Sequence, residues 1–383
     1  MKLFDVYPLF DITPVKGEGC YIWDSAGKKY LDFYGGHAVI SIGHSHPHYV
    51  EMIAEQLSQI GFYSNSVQNP LQRELAEKLG AISGYKDYQL FLCNSGAEAN
   101  ENAIKLASFV TGRKKFVSFS KGFHGRTSAA VALTDNKKIV APVNETENAV
   151  ILPLNNIQAV EEVLENEDVA GVILEGIQGI GGINIPENEF VSALKRLTKK
   201  YGSLLILDEI QSGYGRSGKF FAHEHFNVQP DLITVAKGMG NGFPIGGVLI
   251  QPKIKPWAGM LGTTFGGNHL ACAAGIAVLD VMIQENLVEN AEKVGGYIMQ
   301  QLSEFNTDIK IRGKGLMIGM EFNFPVKALR QKLLFEYGIF TGVSGQNIIR
   351  LLPPLNLKIE QADVFLKAFK EVFVNVSASV SEN

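Results

Sequence analysis

Cysteine is scarce and scattered: Cys20, Cys93 and Cys272 are the three in a chain of 383 residues. An odd, unpatterned set excludes a disulfide framework and suits a reducing compartment. No charge block is present either, with 35 basic against 39 acidic residues and a net charge of −4. That argues against nucleic acid or an anionic membrane as the main partner. No apolar run reaches membrane-spanning length, and the opening MKLFDVYPLF lacks the apolar core and cleavage site of a signal peptide. The expected location is cytoplasmic. The histidine clusters His44-Ser-His46-Pro-His48 and His223-Glu-His225 lack the HExxH spacing, and no cysteine pair completes them, so no metal site is expected. Gly313-Lys-Gly315 lacks the GxGxxG spacing and reads as a tight turn between strands.

What is present is a large apolar fraction, 46% with mean hydropathy +0.06, enough for a big core and an oligomer interface. The length allows two domains, or one large domain with an appended lobe. Cys20–Trp23 and Lys29–Phe33 flank the polar turn Asp24–Gly27 and predict a hairpin. Helices are predicted after Pro47 and Pro70. From about residue 88 the rhythm becomes strand, glycine turn, helix. Strands are predicted at 89–93, 115–119, 150–153 and 169–174, with helices from Ala97, at 156–166 and at 189–201. The alternation predicts an α/β sheet with helices on both faces. After a long helix at 268–285 the elements become shorter and mixed, with helices at 287–305, 326–337 and 360–373 and strands at 309–312, 316–322 and 348–352. Residues 276–383 therefore read as a second, smaller lobe, ending in a polar tail, VSASVSEN, expected to fray.

The chain is organised around Leu204 to Leu249. Two short apolar runs there, Leu204–Leu207 and Leu232–Ala236, read as buried strands of a parallel sheet. The first leads into Asp208 and the second into Lys237, and ligands of such sheets collect at the carboxyl ends of strands. A lysine crowded by apolar groups has its charged form disfavoured and becomes a usable amine nucleophile. A carboxylate in the same crevice can keep a pyridine nitrogen protonated. The plain alternative is an Asp208–Lys237 ion pair.

Other motifs carry two readings each. Asn94–Asn100 links an apolar strand to a helix, so Ser95, Gly96 and Ala97 are either a phosphate cradle or an ordinary N-cap. The loop Lys121–Thr127 offers Phe123, for stacking on a flat ring or for the core, and Arg126, for a bidentate carboxylate grip. Arg350 stands inside the apolar strand Ile349–Leu352, where its charge needs either a structural salt bridge or a substrate carboxylate.

Taken in order, GEGCYIWDSAGKKYLDF, NSGAEANENAIKLA, FHGRT, LDEIQSGYGRSG, AKGMGNGFPIGG, TTFGGNHLACAAG, RGKGLMIGMEF and IIRLLPPLNL span nearly the whole chain. Together they resemble the class III pyridoxal-phosphate aminotransferases of fold type I, above all the acetylornithine and ornithine aminotransferase branch. The resemblance implies a large domain with a mostly parallel central sheet, residues 46–275. It also implies a small α+β domain built from both chain ends, 1–45 and 276–383. Lys237 would hold pyridoxal 5'-phosphate covalently and shuttle a proton, Asp208 would pair with the ring nitrogen, and Gln211 would bond the phenolic oxygen. Phe123 would stack on the ring, while Ser95, Gly96 and Ala97 would hold the phosphate with Thr264 of a neighbouring subunit, which implies a homodimer with shared active sites. Arg126 would grip the α-carboxylate of an ornithine-type substrate, Thr263, where the family usually has Ser, would lie near substrate, and Arg350 would take the α-carboxylate of glutamate.

The implied reaction moves the δ-amino group of an N-acylated ornithine, acetyl or succinyl, to 2-oxoglutarate in arginine biosynthesis. Ornithine or 4-aminobutyrate as donor, a glutamate-1-semialdehyde-type mutase, and a cofactor-holding protein without turnover are the alternatives. Three departures from the family all fall in the substrate pocket. Ile180 stands where relatives have a Glu that pairs with the glutamate-binding Arg. His37 stands where they have Tyr or Ile, and FYSNSVQNP replaces an SNLYYN-like stretch. His37 either selects the acyl group or simply packs against Tyr34 or hydrogen-bonds a backbone carbonyl.

Overall fold

The computed structural model describes residues 1–305 and 308–381, with side chains described up to residue 375. Three N-terminal strands come first: β1 (Pro14–Glu18), β2 (Tyr21–Asp24) and β3 (Lys29–Phe33). The middle of the chain contributes β4 (Gln89–Cys93), β5 (Lys115–Phe119), β6 (Ala149–Leu152), β7 (Val169–Glu175), β8 (Leu204–Asp208), β9 (Leu232–Val235) and β10 (Gly246–Ile250). The C-terminal part adds β11 (Lys310–Lys314), β12 (Met317–Glu321), β13 (Ile339–Ser344) and β14 (Ile348–Leu351).

Two seven-stranded sheets result. The central one has the order β4-β10-β9-β8-β7-β5-β6 and is parallel except at β10, which runs antiparallel to both β9 and β4. Strands β7, β8 and β9 are buried along their whole length, as the unbroken apolar runs require of strands covered on both faces. The second sheet, β1-β2-β3-β13-β14-β12-β11, joins the two chain ends through the parallel pair β3–β13. The expected hairpin is β2–β3, and Gly313–Gly315 sits at the turn joining β11 to β12.

Strands β10 and β13 are not legible in the apolar pattern. β10 opens with Gly246-Gly247, which reads as a turn. A Cβ at Gly246 would lie 2.7 Å from the Ser95 carbonyl, so glycine is what lets this strand pass against the 94–97 turn. In β13 the apolar run is interrupted by Thr341-Gly342. The last helix runs Ile359–Ser381, beyond the predicted 360–373, so the backbone of the tail stays helical to Ser381 while Glu382 and Asn383 lie outside the described residues.

The helix His269–Gln284 is buried around most of its circumference, beneath the helices Pro47–Gln59 and Pro70–Ser83. No single helix among the described residues is long and apolar enough to cross a membrane. The three cysteines are buried and unpaired. The histidines of the two clusters go to separate partners: His44 to Asp32 at 2.8 Å, His46 to Glu285 at 2.9 Å and His223 to Glu209 at 2.8 Å.

Candidate active site

β8 and β9 are hydrogen-bonded neighbours, so Asp208 at the end of one and Lys237 just past the other meet at the same edge. A cavity of about 400 Å³ opens there. It is lined by Ser95, Gly96, Ala97, Phe123, Arg126, Asp208, Gln211 and Lys237, together with Ile180, so one space gathers these sequence-predicted residues.

The floor is a polar network. Asp208 Oδ2 accepts from Asn100 Nδ2 and from His124 Nδ1, each at 2.8 Å, and Oδ1 accepts from the Ile210 N–H at 3.1 Å. Asn100 also donates to the His124 carbonyl at 2.7 Å, and all three residues are 3% exposed or less. Oδ2 is thereby saturated and Asp208 fixed in one orientation. His124 and Asn100 escaped the sequence reading. The available signal was Asn100 itself, a polar side chain on the helix face otherwise formed by Ala99, Ala103 and Ala107, which must find a buried partner.

Lys237 is half-buried in a left-handed backbone conformation (φ 47°). Its amine has no hydrogen-bond or ion-pair partner among the described residues, so the Asp208–Lys237 ion pair does not form. Burial lowers its proton affinity, Asp208 and Glu175 oppose that, and the Arg350 charge adds to it.

Ser95 caps the helix Gly96–Thr111, its hydroxyl accepting the Glu98 N–H at 3.2 Å, while Glu98 accepts the Asn94 N–H at 2.7 Å. Such a cap is worth about 1 kcal/mol. It leaves the N–H groups of Gly96 and Ala97 without acceptors among the described residues, facing the cavity at the positive end of the helix dipole. The cap and the anion cradle are therefore both present. Phe123 is half-buried at the cavity wall and has no aromatic neighbour among the described residues.

The remaining candidates stand at the rim of the cavity or behind its wall. Arg126 is exposed at its mouth and unpaired among the described residues. Arg350, 2% exposed, donates to the Val343 and Gly179 carbonyls at 3.1 and 3.0 Å and to Gln211 Oε1 at 3.4 Å. No carboxylate of the described residues pairs with it, which removes the structural salt bridge, and burial lowers its proton affinity. Gln211 Nε2 donates to the His37 carbonyl at 3.0 Å, and Gly179 lies so close that a Cβ there would be 1.7 Å from Gln211 Oε1.

His37 belongs to a left-handed turn in which Gly35, Gly36, His37 and Ala38 all have φ between 55° and 65°. For His37 and Ala38 this conformation costs about 1–2 kcal/mol each. The turn is held by the Gln211 bond and by the Val39 N–H to Gly35 carbonyl bond at 2.8 Å. The His37 ring lies 4.7 Å from that of Tyr34 and does not line the cavity. Burial, with the nearby Arg350 and Lys237 charges, pushes it down to about 4. Thr263 touches the cavity wall indirectly, accepting from Asn94 Nδ2 at 3.3 Å, and Thr264 is exposed outside the cavity of its own chain.

An unpartnered amine of lowered proton affinity, a fixed carboxylate facing it, unused N–H groups at a helix N-terminus and an open aromatic face fit an anionic, flat aldehyde cofactor such as pyridoxal phosphate. Residues 5–373 match the family Aminotransferase class-III. The chain belongs to the class III aminotransferases, enzymes that depend on pyridoxal phosphate. Among its relatives, it is 43% identical to the acetylornithine aminotransferase of Archaeoglobus fulgidus, over 94% of this chain and 95% of that one. It is 42% identical to the acetylornithine aminotransferase of Bacillus subtilis, over 98% of this chain and 99% of that one. The crystal structure of the ornithine aminotransferase of Toxoplasma gondii superposes with a TM-score of 0.91 at 28% identity, covering 97% of this chain and 92% of that one.

Proposed function

We propose that this enzyme moves the δ-amino group of N2-acetyl-L-ornithine to 2-oxoglutarate, giving N-acetyl-glutamate 5-semialdehyde and glutamate, and that it serves arginine biosynthesis in the cytoplasm, where the reverse direction operates. The observation that carries the reading is an unpartnered Lys237 amine beside a fixed Asp208, flanked by one guanidinium at the cavity mouth and one behind its wall. The two cations suit two substrates that each carry a carboxylate.

Pyridoxal phosphate, when bound, supplies the electron sink that lets a proton leave the carbon bearing the amine. Lys237 would hold it covalently, and its amine, once free, would take up and return the proton at the substrate carbon. Asp208 would keep the ring nitrogen protonated, with His124 and Asn100 preventing rotation of the carboxylate. Gln211 would bond the phenolic oxygen and Phe123 would exclude water from one ring face. Ser95, Gly96 and Ala97 would hold the phosphate, together with Thr264 of a second copy, which makes the working unit a homodimer with shared sites. Arg126 grips the α-carboxylate of the acylornithine, with Thr263 close by, and Arg350 takes the α-carboxylate of glutamate or 2-oxoglutarate. Residues 46–275 form the large domain of this enzyme, and 1–45 with 276–383 the small one. The exposed setting of Arg126 leaves room for a longer acyl group, so N2-succinyl-L-ornithine is a second donor.

The test is a donor panel of acetylornithine, succinylornithine, ornithine and 4-aminobutyrate, each with 2-oxoglutarate. The acylated donors should exceed free ornithine in kcat/KM by about tenfold or more, or ~1.4 kcal/mol. A comparable margin for ornithine or 4-aminobutyrate overturns the substrate assignment. Turnover without external 2-oxoglutarate would indicate a mutase.

A further inference from the structure

Glu175 ends β7 opposite Asp208 in the β7–β8 register, is 6% exposed and lines the cavity. Its two oxygens are divided between two loops: Oε1 accepts the Phe123 N–H and Oε2 the Gly179 N–H, both at 2.9 Å. These are the loops on which the two guanidiniums depend. Arg126 lies three residues beyond Phe123, and the Gly179 carbonyl accepts from Arg350 at 3.0 Å. One carboxylate thus bridges the mouth and the wall of the cavity.

The charged groups facing Glu175 come from every neighbouring element: His124 on the Phe123 loop, Asp208 on β8, Lys237 after β9, and Arg350 on β14. Glu209, close to Gly176, is already taken up by His223 at 2.8 Å. No cation among the described residues bonds Glu175 directly, and burial, with Asp208 adding to it against His124, pushes its carboxyl up to about 7. Two backbone donors favour its ionised form, and in that form its charge raises the proton affinity of Lys237.

We propose that Glu175 is a positioning residue that clamps the Phe123 and Gly179 loops together and places a second negative charge opposite Lys237. This rests on the reading of Lys237 as the cofactor-bearing amine. The two variants differ in charge. Glu175→Gln removes the charge and, with one acceptor oxygen left for two N–H groups, also loosens the clamp. Glu175→Asp keeps the charge but draws the carboxylate back by one methylene, so that it no longer spans both N–H groups.

The experiment labels Lys237 in the cofactor-free protein with pyridoxal and cyanoborohydride across a pH series, locating the label by mass spectrometry, and compares steady-state kinetics of the holoenzymes. With Glu175→Gln the labelling midpoint moves to lower pH, since the ammonium loses a stabilising charge. Below the midpoint the rate rises about three- to tenfold, as half to one unit of proton affinity requires. With Glu175→Asp the midpoint stays at the wild-type value, while KM rises for both the amino donor and 2-oxoglutarate more than kcat falls. An unmoved midpoint in Glu175→Gln, or unchanged KM values in Glu175→Asp, in protein that unfolds at the wild-type temperature, overturns the proposal. Should neither variant fold, the wild-type labelling profile decides: an added inflection where Glu175 ionises supports it, and a single step overturns it. Wild-type protein that takes no label at Lys237 would instead overturn the proposed function itself.

Discussion

The floor and the rim of the cavity are built on opposite terms. On the floor, Asp208, His124 and Asn100 are buried and bonded to one another at 2.7–2.8 Å, so the carboxylate has one geometry. At the rim and in the wall behind it, Arg126 is exposed and, among the described residues, unpaired, Ile180 is 37% exposed, and Arg350 is buried with carbonyl and amide oxygens as its described partners. The floor satisfies itself, whereas the rim holds cations that a ligand must complete. A buried cation with only neutral acceptors is a standing demand for an anion. In the proposed reading, the chemistry is preorganised and the choice of substrate is left to groups the fold does not satisfy.

The sharpest way to break the comparison is at the floor. Lys237→Ala should retain the fold and bind the cofactor only weakly. It should lose transamination by more than about 10⁴-fold, since it removes the group proposed as both covalent anchor and proton carrier. Borohydride reduction should leave wild type labelled at residue 237 and the variant unlabelled. Residual activity near the wild-type level would mean that the floor is not the reacting centre.

How far the sequence alone reveals these two regions follows the same division. Asp208 and Lys237 are legible because each closes a short apolar run bounded by polar or glycine-rich chain, a local pattern. The cradle at Ser95–Ala97 is legible for the same reason. His124, Asn100 and Glu175 are not, because their roles appear only when β7, β8, the Phe123 loop and the helix from Gly96 converge, and nothing local states the partner. β10 and β13 were missed where glycine replaces an alternating side chain, at Gly246-Gly247 and Gly342. Missing β13 hid the pairing that unites the chain ends, so that this expectation came from family resemblance alone. The left-handed turn at 35–38 shows in sequence only as Gly35-Gly36, which does not announce that His37 and Ala38 follow in the same conformation.

A second test concerns the wall. Ile180 lines the cavity next to Gly179, whose carbonyl accepts from Arg350, so a carboxylate at position 180 lies within the surroundings of that guanidinium. Ile180→Glu should give the rim the self-satisfaction the floor already has, and 2-oxoglutarate or glutamate would then have to displace it. A charge-assisted bond of about 1.5–3 kcal/mol predicts roughly a ten- to hundredfold loss in kcat/KM for the dicarboxylates. The acylornithine half-reaction, for which Arg126 is the proposed carboxylate grip, should change less. If both dicarboxylates keep wild-type kinetics, Arg350 does not bind them.

The smallest effect is expected at His37, although it differs from the family at a position that the resemblance places near substrate. Its ring rests on Tyr34 at 4.7 Å, its carbonyl rather than its ring is held by Gln211, and its proton leaves at about 4. Because that value lies below the ordinary one for histidine, the ring is neutral across the working range, and any stability tied to its neutrality is lost only as the medium is acidified from ~6.5 toward that value. A neutral ring offers a succinyl tail one N–H donor and no charge. His37→Ile should therefore change the succinyl-to-acetyl ratio of kcat/KM by less than about threefold, under 1 kcal/mol. In the wild type that ratio should stay flat between about pH 6 and 8, the interval in which an unperturbed histidine would titrate. A ratio that climbs as the pH falls, and flattens in His37→Ile, would show that the ring leaves Tyr34 and charges when substrate arrives, and would move His37 among the unsatisfied cations of the rim.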